Sequence, residues 1–348
     1  MQAGRSGRPG TAIAVATAAL ACTLAFAAPS LGKDSGVACS YDEVGAPGPP
    51  DNVLRVEDRS ESVTHIYREG DAIVVFNNAD RDPAVCVGGT PTVFNVDRIE
   101  YSASTGVPFF DYIGKGPLAP GATPETSGSE IEISVEEDYH PEVLNVGASA
   151  ASDTVHVGQL GPHQVGLNLN SQADGAGQDA DTVIHVVKPS EVFVRVVGKG
   201  GDDTLSALGG PEFTGPFPAD RLSLSGGPGD DTMIGGPHRD LLRGDLGNDV
   251  MLGGRDDDLI KVGPGRDLAR AGKGNDRIEN ESDVGGIAPD TSPDRVYAGA
   301  GNDQVDVAQI SSPLPGDFVN CGAGRHDAVG LDPGDRTKNC EKVDVFRR

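Results

Sequence analysis

Apolar and polar residues alternate with period two over Val53–Val56, Ala72–Phe76, Thr92–Val96, Glu130–Val135 and Val192–Val197. Such alternation predicts short strands with one buried face. The Pro/Gly-rich stretches Gly45–Asp51, Lys115–Ser129 and Gly209–Ala219 predict loops. From Gly226 the period changes to nine. Units GGPGDDTMI (226–234), GGPHRDLLR (235–243), GDLGNDVML (244–252), GGRDDDLIK (253–261), VGPGRDLAR (262–270) and AGKGNDRIE (271–279) follow without a gap. Position six is always Asp: Asp231, Asp240, Asp249, Asp258, Asp267 and Asp276. Position eight is always apolar: Met233, Leu242, Met251, Ile260, Ala269 and Ile278. Position two is Gly in every unit except the one with Asp245.

The phase persists on both sides of this block. Asp294 and Asp303 keep multiples of nine from Asp276, which predicts that 280–297 is two degenerate units still coiled in register, with a solvated loop as the alternative. In the first of them Gly285 stands where Asp belongs and Ile287 points inward. AGAGNDQVD (298–306) is well formed again, and GKGGDDTLS (198–206) matches with Lys199 in place of the second Gly. Further upstream, Asp-Thr-apolar recurs at Asp153, Asp181 and Asp203, and Asp220-Arg221-Leu222 follows. The shrinking spacing points to a β-solenoid with larger rungs in the N-terminal half. An independent β-sandwich is the alternative.

The units resemble the RTX (haemolysin-type) calcium-binding nonapeptide GGxGxDxUx, where U is a large apolar residue. The resemblance implies an all-β fold, a parallel β-roll or β-solenoid in which each unit supplies a turn and a short strand, and two units complete one coil. It also implies calcium as the bound ion, several per chain. The implied ligands are Asp203, Asp231, Asp240, Asp249, Asp258, Asp267, Asp276 and Asp303, with the turn glycines Gly227, Gly229, Gly247, Gly263, Gly265, Gly272 and Gly274. The chemistry suits these positions. Glycine permits positive φ and lets carbonyls turn toward an ion, while Asp supplies a hard anionic oxygen. Because alternate units share a side of the roll, the Asp231/Asp249/Asp267 edge is expected to bind calcium more tightly. The opposite edge carries His238 and Asp256 where Gly belongs, and Arg239 and Arg266 place positive charge beside sites.

Composition narrows the partners. The chain has 49 Gly, 25 Pro and no Trp, a poor recipe for long helices or a thick core. Its net charge of −25, without a Lys/Arg stripe, argues against nucleic acid and for cations. Arg5 and Arg8, the uncharged run Thr11–Ala28 and the Ala25-Phe26-Ala27 pattern read as a signal peptide over 1–27. That implies a secreted protein with no membrane span after cleavage; a retained anchor is the rival. Cys39, Cys86, Cys321 and Cys340 then remain, an even count that suggests disulfides. Three connectivities exist, and proximity favours Cys39–Cys86 and Cys321–Cys340. Val319–Val329 resembles a last unit with one residue inserted, similar to the C-terminal arrangement of exported actinobacterial RTX-type proteins. The usual RTX export route reads a C-terminal signal instead, so a toxin-like role does not follow.

No catalytic signature appears. No His lies in an HExxH frame, and no G-x-S-x-G pentapeptide occurs. The expected organisation is a signal peptide (1–27), an irregular β-rich or solenoid region (37–197), a calcium-binding roll (198–310) and a disulfide-closed cap (311–348). The expected function is an extracellular calcium-binding roll that folds on calcium binding, with a structural or surface-interaction role and no enzyme activity. Its further partner would be a cell-surface glycan or protein ligand. A secreted polysaccharide-acting enzyme or adhesin, using the N-terminal half, is the alternative.

Overall fold

Strands in the repeat region pair across whole coils. In the computed structural model, Thr232–Ile234 lies parallel to Val250–Arg255, which lies parallel to Leu268–Lys273. The intervening strands Asp240–Leu246, Leu259–Lys261 and Arg277–Glu279 pair with one another in a second sheet. Two units therefore complete one coil, and each sheet takes alternate units. The description covers residues 37–42, 52–58, 64–69, 72–77, 83–88, 91, 96, 98–103, 132–137, 143–148, 152–169, 182–185, 192–210, 213–220, 222–280, 290, 292–308 and 316–345. All regular structure among them is β, with no helix. The expected signal peptide, the strand Thr92–Val96, Asp181, and the loops Gly45–Asp51 and Lys115–Ser129 fall wholly or largely outside these residues.

The core is a pair of apolar columns. Position eight stacks as Leu205, Met233, Met251, Ala269, Val296 and Val319 in the first sheet, and as Leu224, Leu242, Ile260, Ile278, Val305 and Val329 in the second. All twelve are buried. Removing such a side chain from water contributes roughly 1.5–3 kcal/mol. Position one also faces inward, as Ala271, Ala298 and then Cys321 along the first sheet.

The first sheet runs on into the N-terminal half. Val53–Asp58, Arg98–Ala103, Glu132–Glu137 and Thr182–His185 are parallel neighbours in it, and the antiparallel Gln164–Leu169 and Thr154–Gly161 join them to Thr204–Ser206. The second sheet likewise continues through Phe193–Val197 to Val143–Gly147. Long parallel steps stacked on the roll are a solenoid with larger rungs, not a sandwich. Gly209–Ala219, expected as a plain break, instead tucks Phe217 and Ala219 into the core.

One expectation needs correction. Arg295 pairs directly with Leu268, and Gln304 with Arg277, steps of 27 residues where a full coil within 222–279 takes 18. So 280–297 does not supply two units in register. One coil is nine residues longer, and Asp294 takes the place beside Asp267 that strict phase gives Gly285. Ile287 lies outside the described residues. The ladder tolerates this because inserting residues into a turn leaves the strand-to-strand register untouched, and loop length costs little.

Both ends are stapled. Cys39–Cys86 ties the strand Val37–Asp42, antiparallel to Val53–Asp58, to the segment that bridges Ser40 and Val87. Cys321–Cys340 ties the last full coil to the terminal strands Arg336–Lys338 and Lys342–Val345.

Candidate metal centre

The position-six aspartates form two buried files, one beside each sheet. Within a file, the backbone N–H of each Asp donates to Oδ1 of the Asp one coil further on. The first file runs Asp153, Asp203, Asp231, Asp249, Asp267, Asp294, Asp317 and Asp335, with N···O distances of 2.7–2.9 Å. The second runs Asp240, Asp258, Asp276, Asp303 and Asp327, at 2.9 Å, and ends on Glu341. Each Asp carbonyl in turn accepts the position-seven N–H of the next coil, as Asp231 does from Val250 and Asp258 from Arg277. Both backbone groups of these buried residues are thus satisfied.

That ladder uses only one carboxylate oxygen. Oδ2 of Asp203, Asp231, Asp249, Asp258, Asp267, Asp276, Asp294, Asp303 and Asp327 is buried and makes no hydrogen bond. In the well-formed turns this oxygen lies against the position-one glycine: Asp231 on Gly226, Asp249 on Gly244, Asp258 on Gly253. A Cβ there would collide with it. A carbonyl from the next coil crowds the same glycine at Gly244 (Val262 O) and Gly253 (Ala271 O). Anionic and carbonyl oxygens therefore converge inside each turn, a donor set suited to a hard cation with several oxygen ligands.

The turn glycines hold the backbone in the conformation this needs. Gly227, Gly263 and Gly272 at position two, and Gly229, Gly247, Gly265 and Gly274 at position four, all have positive φ. Gly247 shows why Gly is required: a Cβ would meet the carbonyl oxygen of Gly229. Lys199, Asp245 and Asp256 adopt the same left-handed region despite their side chains. Asp256 therefore keeps the turn of its unit, contrary to the expectation that it departs. The unit 235–243 does depart: neither Gly236 nor His238 has positive φ, and the Gly236 N–H donates to Asp240 Oδ2 at 2.6 Å. Arg239 does not face a site; its guanidinium bonds the Asp257 carbonyl and carboxylate.

Burial and neighbouring charge shape the electrostatics. Burial, the largest cause, raises Asp231 and Asp303 to about 6, Asp203, Asp240, Asp276 and Asp317 to about 7, and Asp249, Asp258 and Asp267 to about 8. Asp294 rises to about 10, because burial combines with the charges of Asp267 and Asp290. The donated N–H opposes the rise in each case, and adjacent carboxylates reinforce it.

The files hold residues the sequence reading did not assign as ligands: Asp153, Asp294, Asp317, Asp327, Asp335 and Glu341. Asp153 and Asp317 share the Asp-x-apolar signature, but steps of 50 and 23 residues hide them from a nine-residue period. Asp220, part of the upstream recurrence, lies outside both files and is exposed. Asp290 is a substitute: its Oδ1 accepts the Gly265 N–H, whereas the equivalent N–H of Gly247 is accepted by the Pro264 carbonyl.

No helix among the described residues is long and apolar enough to cross a membrane. No curated protein and no solved structure matches the chain. Residues 223–251, 252–283 and 290–308 match the RTX calcium-binding nonapeptide repeat.

Proposed function

From a chain that carries RTX calcium-binding nonapeptide repeats, we propose an extracellular roll whose coils order when calcium enters the two aspartate files. The observation that carries this reading is the row of buried Oδ2 atoms without a hydrogen-bond partner. Such an oxygen is costly to bury unless a proton or a cation meets it. Asp203, Asp231, Asp249, Asp258, Asp267, Asp276 and Asp303 would hold the ions with turn carbonyls beside them, the glycines Gly227, Gly229, Gly247, Gly263, Gly265, Gly272 and Gly274 supplying the backbone shape. Asp294 and Asp327 have the same open oxygen. Asp240 is the weakest candidate, since Gly236 already takes its second oxygen.

Calcium supplies charge neutralisation between carboxylates of successive coils. Without that, ionised neighbours repel and the thin core does not offset chain entropy. Extracellular modules of this chemistry bind at about 10⁻⁴–10⁻³ M, so the roll would stay loose inside a cell and order outside it. Two disulfides and an apolar N-terminal run support export. The roll then acts as a rigid extracellular scaffold presenting its N-terminal half to a surface glycan or protein.

Far-UV circular dichroism of the full chain during calcium titration tests this, with magnesium as control. A cooperative coil-to-β transition near millimolar calcium, absent with magnesium, is the expected result. A β spectrum indifferent to calcium and chelator overturns ion-driven folding.

A further inference from the structure

Two turns of the second sheet carry a side chain at position four, His238 and Asp256, where later turns of the same sheet have Gly274 and Gly301. The register Leu222↔Asp240 sets Asp220 beside His238, and Leu241↔Leu259 sets His238 beside Asp256. The three are thus stacked at intervals of 18 residues on one edge of the roll. One ligand atom from each lies within 4.8 Å of the other two, and His238 Nδ1 is 3.2 Å from Asp220 Oδ1.

We propose that Asp220, His238 and Asp256 form a binding site for a borderline first-row divalent cation, with zinc as its representative, separate from the calcium files. The donor set decides the metal class. Calcium takes oxygen ligands, whereas an imidazole nitrogen with two carboxylates suits zinc, bound at about 2.0–2.2 Å and leaving a fourth position open. Tetrahedral ligands at that length lie about 3.3 Å apart, so the cluster must close slightly. Asp220 and Asp256 are exposed and His238 is half-buried, so side-chain rotation suffices.

The local backbone separates this site from the calcium files. His238 belongs to the one unit of the block 226–279 that gives up the glycine turn, where Gly236 closes on Asp240. Asp256 stays in its turn at φ +68°, holding its carboxylate under His238. Arg239, next to His238 in the chain, is engaged by Asp257. The same file thus loses an internal ion turn and gains an external imidazole.

The test is zinc binding by the full chain in saturating calcium, read by competition with a chromophoric zinc chelator and by the visible spectrum of the cobalt form. One zinc per chain, held against millimolar calcium, is expected. His238→Ala and Asp256→Gly should each weaken it by more than about tenfold and bleach the cobalt spectrum. Asp256→Gly restores the array's own residue at a left-handed position, so its fold and calcium response should persist. Zinc affinity unchanged in both variants, no stoichiometric zinc in the parent chain, or displacement of zinc by calcium would each overturn the assignment. Because the readout is zinc at fixed calcium, its failure leaves the calcium-folding proposal standing, and the converse holds.

Discussion

The backbone N–H of Asp231 donates to Oδ1 of Asp249, one coil further on, at 2.8 Å, while Oδ2 of Asp249 is buried with no hydrogen-bond partner. One carboxylate thus does two jobs. It closes the backbone ladder between coils, and it leaves an anionic oxygen facing the turn. The same division recurs at Asp203, Asp258, Asp267, Asp276, Asp294, Asp303 and Asp327, so a cation bound at these oxygens would couple directly to coil stacking.

Proton binding should substitute in part for calcium. The folded carboxyls of Asp231, Asp249 and Asp267 lie at about 6, 8 and 8, above the 3.8 of an ordinary Asp. The folded state therefore holds more protons than the unfolded chain between about pH 4 and pH 8, and stability falls as pH rises through that window. In chelator, β content should be higher at pH 5 than at pH 8, and calcium at pH 8 should restore it. Calcium binding at pH 7 should also release protons, seen by calorimetry in buffers of different ionisation enthalpy. A β content in chelator that rises with pH would contradict this.

Asp249→Ala should weaken the calcium response more than Asp240→Ala. Asp249→Ala removes both the ladder acceptor for the Asp231 N–H and an open oxygen, whereas Asp240 heads its file, accepts from no earlier Asp N–H among the described residues, and has its Oδ2 occupied by Gly236. The midpoint of the calcium titration should move by about tenfold for Asp249→Ala, the equivalent of about 1.4 kcal/mol, and by much less for Asp240→Ala. Equal shifts would remove the distinction between the two turns.

Gly247→Ala should be severe and Gly200→Ala mild. Gly247 has φ +141° and its Cβ would strike the Gly229 carbonyl, whereas a Cβ on Gly200 meets only Pro228 O at 3.6 Å. Left-handed strain alone costs about 1–3 kcal/mol, while the Gly200 change should stay within about 0.5 kcal/mol. Urea denaturation in saturating calcium measures both.

Cys321→Ser with Cys340→Ser should unfasten the last coils rather than the whole roll. Cys321 is an inward position-one residue, and its partner anchors the segment that supplies Asp335 and Glu341 to the files. Closing a loop of this size is worth about 3 kcal/mol in the chain-entropy picture. Hydrogen exchange should accelerate across 316–345 and leave 222–280 protected. Uniform acceleration would mean the solenoid melts as one unit.

The roll was legible because its signal is local and repeated. An Asp every nine residues, an apolar residue two further on and glycines before them specify turn, strand and inward face without reference to the rest of the chain. The longer rungs were legible only in outline. Asp153 joins the same file as Asp231, but its ladder partner Asp203 lies 50 residues away, and no fixed period reaches it.

The amino-acid sequence by itself determined the nonapeptide phase, the apolar columns, the alternation of units between two sides and the cation chemistry. Tertiary structure alone decided which carboxylate oxygens stay open, that Asp294 rather than Gly285 follows Asp267, that Asp256 keeps a left-handed turn, and that Asp220 stacks on His238. The physical reason is that coils register through hydrogen bonds between neighbouring strands, not through chain length. Residues added in a turn shift every sequence interval after them, yet leave the spacing of strands and the line of the aspartate files unchanged.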